Sequence, residues 1–228
     1  MKLFKYQFWH LLCLGALLWA VYVMAGMDPS LLQGELLGFG TLFWLLLALA
    51  SPIFHQVYVL VCWRFELHHK SISRAFGKNG FRLFKIGFAI LILSRPVTII
   101  LLAISNAFTF TMNSILSYGL SILLLLPGLY LMYSVRKYFG FDRAFGIDHF
   151  DPERYKGVPM VKQGIFKYSS NAMYVFGFFL LWVPGILAQS KAALLVAAFN
   201  HLYIWVHYYF TEEPDMRAIY GGDDVEKS

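Results

Sequence analysis

Runs of apolar residues broken by short polar clusters occupy 8–26, 36–62, 86–104, 114–134 and 192–210, with a shorter run at 173–188. About 20 residues of helix cross a hydrocarbon core about 30 Å thick. In lipid, only helices and closed barrels satisfy their own backbone groups. The pattern therefore predicts an all-α fold, a polytopic transmembrane helical bundle of about six spans. The run around Pro184 and Gly185 is the shortest, and that pair also fits a tight helical hairpin. The first run follows Lys2 and Lys5 as a signal peptide would. Its bulky Trp19, Tyr22 and Met24 leave no small-residue cleavage site, so it reads as an uncleaved first span.

Composition agrees with the pattern. Of the 228 residues 59% are hydrophobic and only 14% charged, with a mean hydropathy of +0.59, whereas soluble domains carry about 25% charged residues. Basic residues add an orientation, because they collect in cytoplasmic loops. Lys2 and Lys5, the 64–85 connection, the 136–167 connection, Arg217 and Lys227 hold all of the 19 Lys and Arg except Arg95 and Lys191. An even number of spans with N- and C-termini cytosolic fits that distribution. The net charge of +6 is then an inner surface facing anionic lipid, and no nucleic-acid partner is needed to account for it. Cys13 and Cys62 lack any spacing that suggests metal or redox chemistry and are expected to be reduced, structural thiols.

The connections predicted on the outer side, 28–35, 106–113 and 189–191, are short. On the inner side, 64–85 is basic and fits an amphipathic surface segment. The stretch 136–172 is rich in Phe and Tyr and is expected to be ordered, since long connections in a compact protein are usually functional or disordered. No internal repeat is present, so a single domain over 1–228 is the economical reading. Candidate chemistry gathers near the inner end of the last two predicted helices: VKQGIFKYSSNAMY at 161–174, the set Asn200, His201 and His207, and the pair Glu212 and Glu213. Asn200, Ile204, His207 and Thr211 share one helical face. Arg95, next to Pro96, lies within a span, where a charge marks function by default. Asp148, His149 and Asp151 have the chemistry of metal ligands but are expected to be a solvated loop, so no metal is assigned. Two glutamates at what reads as a helix C-terminus oppose the helix dipole, which suggests a cationic partner.

VKQGIFKYSSNAMY followed by TEEPDMRAIYG resembles the membrane methyltransferases that include phospholipid (phosphatidylethanolamine) N-methyltransferases and isoprenylcysteine carboxyl methyltransferases. Gly164, Asn171, Met173 and Tyr174 match the first part of that family's pattern, and Glu212, Glu213, Tyr220 and Gly221 the second. Asn171, the Glu-Glu-Pro run and Tyr138-Phe139-Gly140 look like the phospholipid branch. Ser170 stands where the family has Arg or Asp, and Ala172 where it has Pro. The likeness covers about 136–221, so four N-terminal spans (1–135) would precede the cofactor-binding part (136–221).

The resemblance implies an S-adenosylmethionine-dependent enzyme, with the cofactor bound by Gly164, Asn171, Met173, Tyr174, Glu212 and Glu213. The glutamates would face its cationic methionyl end. His207 or Glu213 is the expected base for the acceptor's proton, and Arg95 is expected to bind the acceptor. The acceptor is expected to be a phospholipid amine such as phosphatidylethanolamine. A prenylcysteine carboxylate or a small thiol or amine is the alternative within the enzyme class. A non-enzymatic transporter or membrane subunit is the rival from another class. It would spread ionisable groups over several spans and both faces, whereas here they concentrate at the inner end.

Overall fold

The structure is a computed structural model, and it describes residues 3–221. It is mostly helical, with a two-stranded antiparallel hairpin, β1 (Glu35–Leu36) and β2 (Phe39–Gly40). The helices are α1 (Gln7–Met27), α2 (Thr41–His69), α3 (Ser71–Phe76), α4 (Gly80–Ser105), α5 (Ser114–Ser134), the short α6 (Phe141–Ala144), α7 (Ile147–Phe150) and α8 (Pro152–Tyr155), then α9 (Ala172–Phe176), α10 (Val183–Leu187), α11 (Lys191–His207) and α12 (Glu213–Tyr220).

Among the described residues, four helical stretches are long and apolar enough to cross a membrane: 7–27, 41–69, 71–105 and 114–139. The remaining two predicted spans are shorter. Residues 172–187 form a segment broken by tight 3₁₀ turns, with Pro184 opening its last helix, and α11 has 17 residues.

α11 sits at the centre, packed against α1, α2, α4 and α10. Its buried face begins with Ala192, Ala193, Val196 and Ala197, small residues that let helix backbones approach closely where hydrophobic exclusion from water gives little drive. Further along, that face becomes polar at Asn200, His207 and, past the end of α11, Thr211, all at most 1% exposed. The shared face expected for Asn200, Ile204, His207 and Thr211 is therefore the buried one. α2 changes in the same direction, from Trp44, Leu45 and Ala48 to His55, Gln56, Trp63, Arg64 and Glu66. Where α2 crosses α4, Ser51 and Ser94 join at 2.6 Å, next to Pro52 and Pro96, each of which removes a backbone donor from its helix. One end of the bundle is thus apolar and the other polar inside.

Two expectations change. The 64–85 stretch is helical, and it begins inside the bundle, not at the surface. α2 runs through Arg64 to His69, α3 and α4 follow almost at once, and Arg64 is 2% exposed. Nor does the last helix end at the glutamates. After α11 the backbone widens into one π-type turn (Tyr208–Glu212), and α12 continues with Pro214 in its first turn, where proline's missing N–H costs nothing. The dipole argument for a cationic partner therefore falls away, since Glu213 sits at a helix start. Cys13 and Cys62 are free thiols, as expected.

Candidate active site

The 136–171 connection is ordered as anticipated, and it folds over the polar end of the bundle. Gly164 makes this possible. Its φ is +61°, and a Cβ there would lie 2.6 Å from the Ser134 hydroxyl and 2.8 Å from the Tyr138 ring. Only glycine lets the chain turn this close to α5. The turn allows the backbone N–H of Ile165 to donate to Ser134 Oγ at 3.1 Å and stacks Phe166 on Phe139 at 5.0 Å.

Between this folded connection, α9 and the π-type turn lies a narrow cleft of about 60 Å³. Asn171, Met173, Tyr174 and Glu212 line it, with Phe139, Phe166, Tyr208 and Met216 among the other walls. Tyr174 donates its hydroxyl to Glu212, across 38 residues of sequence, and its ring packs on Trp205 and Tyr208. π-type turns concentrate at functional sites, and this one rotates Glu212 into the cleft. Burial raises the Glu212 carboxyl to about 7, against the opposing effects of the Tyr174 hydroxyl and of His149. A carboxylate held in such surroundings, ringed by aromatic faces, is equipped to receive a cation.

The other expected site residues lie elsewhere. Gly164 shapes the floor through its turn and is not among the cleft's lining residues. Glu213 points along α12, where its carboxylate accepts from Arg217 at 2.8 Å. His207 is 1% exposed in the bundle interior, its ring 6.0 Å from that of His10 and 6.1 Å from that of Trp63. Arg95 is 2% exposed within α4. His201 faces Trp182, whose indole N–H lies 3.3 Å from His201 Nδ1. Tyr220 leaves the cleft and donates to Asp148 Oδ2 at 2.9 Å.

Beneath the cleft is a buried charge network that the sequence reading missed. Arg64 Nε lies 2.7 Å from Asp215 Oδ1, and its Nη2 donates to the Thr211 carbonyl at 3.2 Å. His149 bonds Asp148 Oδ1 through Nδ1 at 2.9 Å and lies 3.7 Å from Asp215 through Nε2. The expectation of a solvated loop around Asp148 and His149 is overturned. Gly146, at φ +80°, brings the chain so close that a Cβ would sit 2.6 Å from the Trp63 indole, and His149 then stacks on Trp63 at 4.1 Å. Burial alone would lower the His149 imidazole, but Asp148 and Asp215 together hold it at about 9, so it is a cation at neutral pH. Among the described residues no group of three or more His, Cys, Asp or Glu is arranged to hold a metal.

Long apolar helices with a carboxylate-bearing cleft at the polar end of the bundle define a helical membrane protein. The phospholipid methyltransferase family model matches residues 116–223, and over that part the chain is similar to this family of membrane methyltransferases. Comparison with the curated proteins and with the solved structures gives no match. The matched region contains the whole cleft. The N-terminal half, including Arg64 and Arg95, lies outside it.

Proposed function

We propose that the protein is an S-adenosylmethionine-dependent methyltransferase acting on a phospholipid amine such as phosphatidylethanolamine, with Glu212 and Tyr174 as the centre of cofactor binding. The observation that carries this reading is that Asn171, Met173, Tyr174 and Glu212, the residues that resemble the family's two motifs, line one cleft within the matched segment.

The chemistry of the residues suits that cofactor. Glu212 offers one negative charge for the methionyl ammonium or the sulfonium, the Phe139, Phe166 and Tyr208 faces suit a nucleoside base, and Asn171 offers an amide donor and acceptor. When bound, S-adenosylmethionine supplies a methyl carbon already activated by its sulfonium. Positioning is then the main task left to the protein. At about 60 Å³ the cleft is smaller than the roughly 300–1,000 Å³ of ligand pockets, so admission of the cofactor requires the 156–171 connection to move away from Tyr174 and Glu212. His207, with both ring nitrogens unpartnered in the interior, is the base proposed for the acceptor's proton. Glu213 is the second candidate, provided that it exchanges Arg217 for the acceptor. Arg95 is assigned to the acceptor. The proposed organisation is one domain, 1–228, with acceptor selection in 1–135 and cofactor binding in 136–221.

The test is to incubate membranes carrying the protein with methyl-labelled S-adenosylmethionine and to extract lipids and small molecules. Label in the aminophospholipid fraction is expected. Label only in a prenylated peptide, or in a small thiol or amine, would replace the acceptor, and no label in any fraction would reject the enzyme. Orientation is proposed with both termini in the cytosol, from the distribution of Lys and Arg. Reporters fused at residue 108 and at the C-terminus should read external and cytosolic respectively. A C-terminal reporter on the external side would part the cleft from its cofactor supply and reject the reading.

A further inference from the structure

A second polar site lies inside the bundle, between α1, α2, α4 and α11. Arg95 is 2% exposed, and its Nε and Nη2 meet no acceptor. The Phe178 ring, 5.5 Å from the guanidinium carbon, partners it only through its π face. His55 is 3% exposed, its ring edge-on to Phe88 at 4.6 Å, and neither ring nitrogen has a partner. His207 is in the same condition. Asn200 gives its amide N–H to the Val196 carbonyl at 3.0 Å and leaves Oδ1 unpaired. Arg95, His55 and His207 lie within electrostatic reach of one another, and Arg95 also senses Tyr174, the residue that holds Glu212 in the cleft.

The nearest acids toward the polar end are already engaged: Glu66 on α2 accepts from Ser73 and from the backbone N–H of Ile72, and Asp215 on α12 pairs with Arg64. A guanidinium within a span and without a counter-anion is a large cost, and buried donors left unpaired are rare enough to require a cause. Ordinary glue between helices would show these donors bonded to carbonyls or side chains of neighbouring helices, and they are not.

The geometry points to an oxyanion receptor in which Arg95 and His55 bind the phosphate carried by a membrane lipid. The site would select acceptors by their anion and present the remainder of the headgroup toward Tyr174 and Glu212. The identity of this lipid as the methyl acceptor rests on the function proposed above. The binding of an oxyanion does not.

The experiment uses purified protein in a non-ionic maltoside detergent with no methyl donor. Three probes are compared by calorimetry and thermal unfolding: a short-chain phosphatidylglycerol, a diacylglycerol with the same chains, and inorganic phosphate. Phosphatidylglycerol should bind and raise the melting temperature, and diacylglycerol should do neither. Phosphatidylglycerol binding at least about tenfold tighter than inorganic phosphate assigns the anion to a lipid, and equal binding by both would overturn the lipid as its source. Arg95→Met should lose the response and, without any lipid, melt at a higher temperature than the parent, because it removes an unpaired charge. A structural Arg95 would give the opposite shift. Where Arg95→Met does not fold, His55→Phe, close in size and shape, should weaken lipid binding about tenfold. Equal binding of the two lipids, or full binding by both variants, would overturn the receptor. Methyl transfer is measured separately, so anion binding without transfer would reject the enzyme and keep the receptor.

Discussion

Glu212→Gln should weaken S-adenosylmethionine binding by roughly ten- to a hundredfold, the equivalent of the about 1.5–3 kcal/mol of a charge-assisted contact. Glu213→Gln should leave it nearly unchanged. Adjacent helical residues point about 100° apart, and here the difference is visible. Glu212 lines the cleft and accepts from Tyr174, while Glu213 pairs with Arg217, whose side chain is 50% exposed. Loss of an i,i+4 surface pair of that kind costs only about 0.3–0.5 kcal/mol of stability.

The pH dependence sharpens the test. With the Glu212 carboxyl raised to about 7 by burial, it is charged above that pH and neutral below. Affinity for a cationic cofactor should therefore be full on the alkaline side and fall as pH drops through about 7. The Gln variant should show no such step. Calorimetry on both variants across that range, with thermal unfolding as the control for folding, decides it. Equal affinity in the parent and both variants would leave Glu212 without the role given to it.

The membrane class, the helical fold and the meeting of the Asn171–Tyr174 segment with Glu212 were legible in the sequence. Apolar run length reports on lipid directly, and the partnership of the two motifs is what the family resemblance implies. The behaviour of the Glu-Glu-Pro run was not legible. Proline after two acids reads as a stop, and only the π-type turn ahead of it shows that Pro214 opens a new helix. The charge network was hidden for another reason. Positive-inside counting treats every Lys and Arg as a solvated loop residue, and Arg64 has the same weight in that count as Lys70 or Arg74. A helical projection gives the missing signal. Pro52, His55, Gln56, Val59, Trp63 and Arg64 recur at three- and four-residue spacing on the buried face of α2, which places Arg64 inside. Its partner, 151 residues away, carries no such mark. Asp215 looks like an ordinary acid in a first helical turn, and His149 like part of a polar loop until Gly146 brings it against Trp63.

Asp215→Asn is expected to have the largest effect on stability of any single substitution considered for this chain. Asp215 is 3% exposed and stands between two buried cations, Arg64 at 2.7 Å and His149 at 3.7 Å. Removing its charge takes a carboxylate partner from the buried Arg64, and loss of one partner of such a pair costs about 3–5 kcal/mol. Replacing both partners by apolar residues, Arg64→Met with Asp215→Leu, should recover much of that loss. The recovery would show that the single-variant cost comes from a stranded charge.

The sign of the pH effect follows from His149. Its imidazole is held at about 9 in the fold against 6.5 ordinarily, so the stability it contributes is complete below about 6.5 and lost as pH rises through about 9. In Asp215→Asn one of the two carboxylates that raise it is gone, and this alkaline loss should begin at lower pH. Asp215 also lies three residues beyond Glu212, and Arg64 bonds the carbonyl of Thr211 just before it. The network therefore fixes the turn that presents Glu212, and cofactor affinity should fall in the single variant and stay low in the double one, which lacks the Arg64 bond to the Thr211 carbonyl even where stability is recovered. Thermal unfolding in detergent from about pH 6 to 9.5, paired with calorimetry, reads both effects. An Asp215→Asn protein as stable as the parent, with the same alkaline limb, would mean that Arg64 and His149 are held by other groups and that the turn carrying Glu212 is positioned without them.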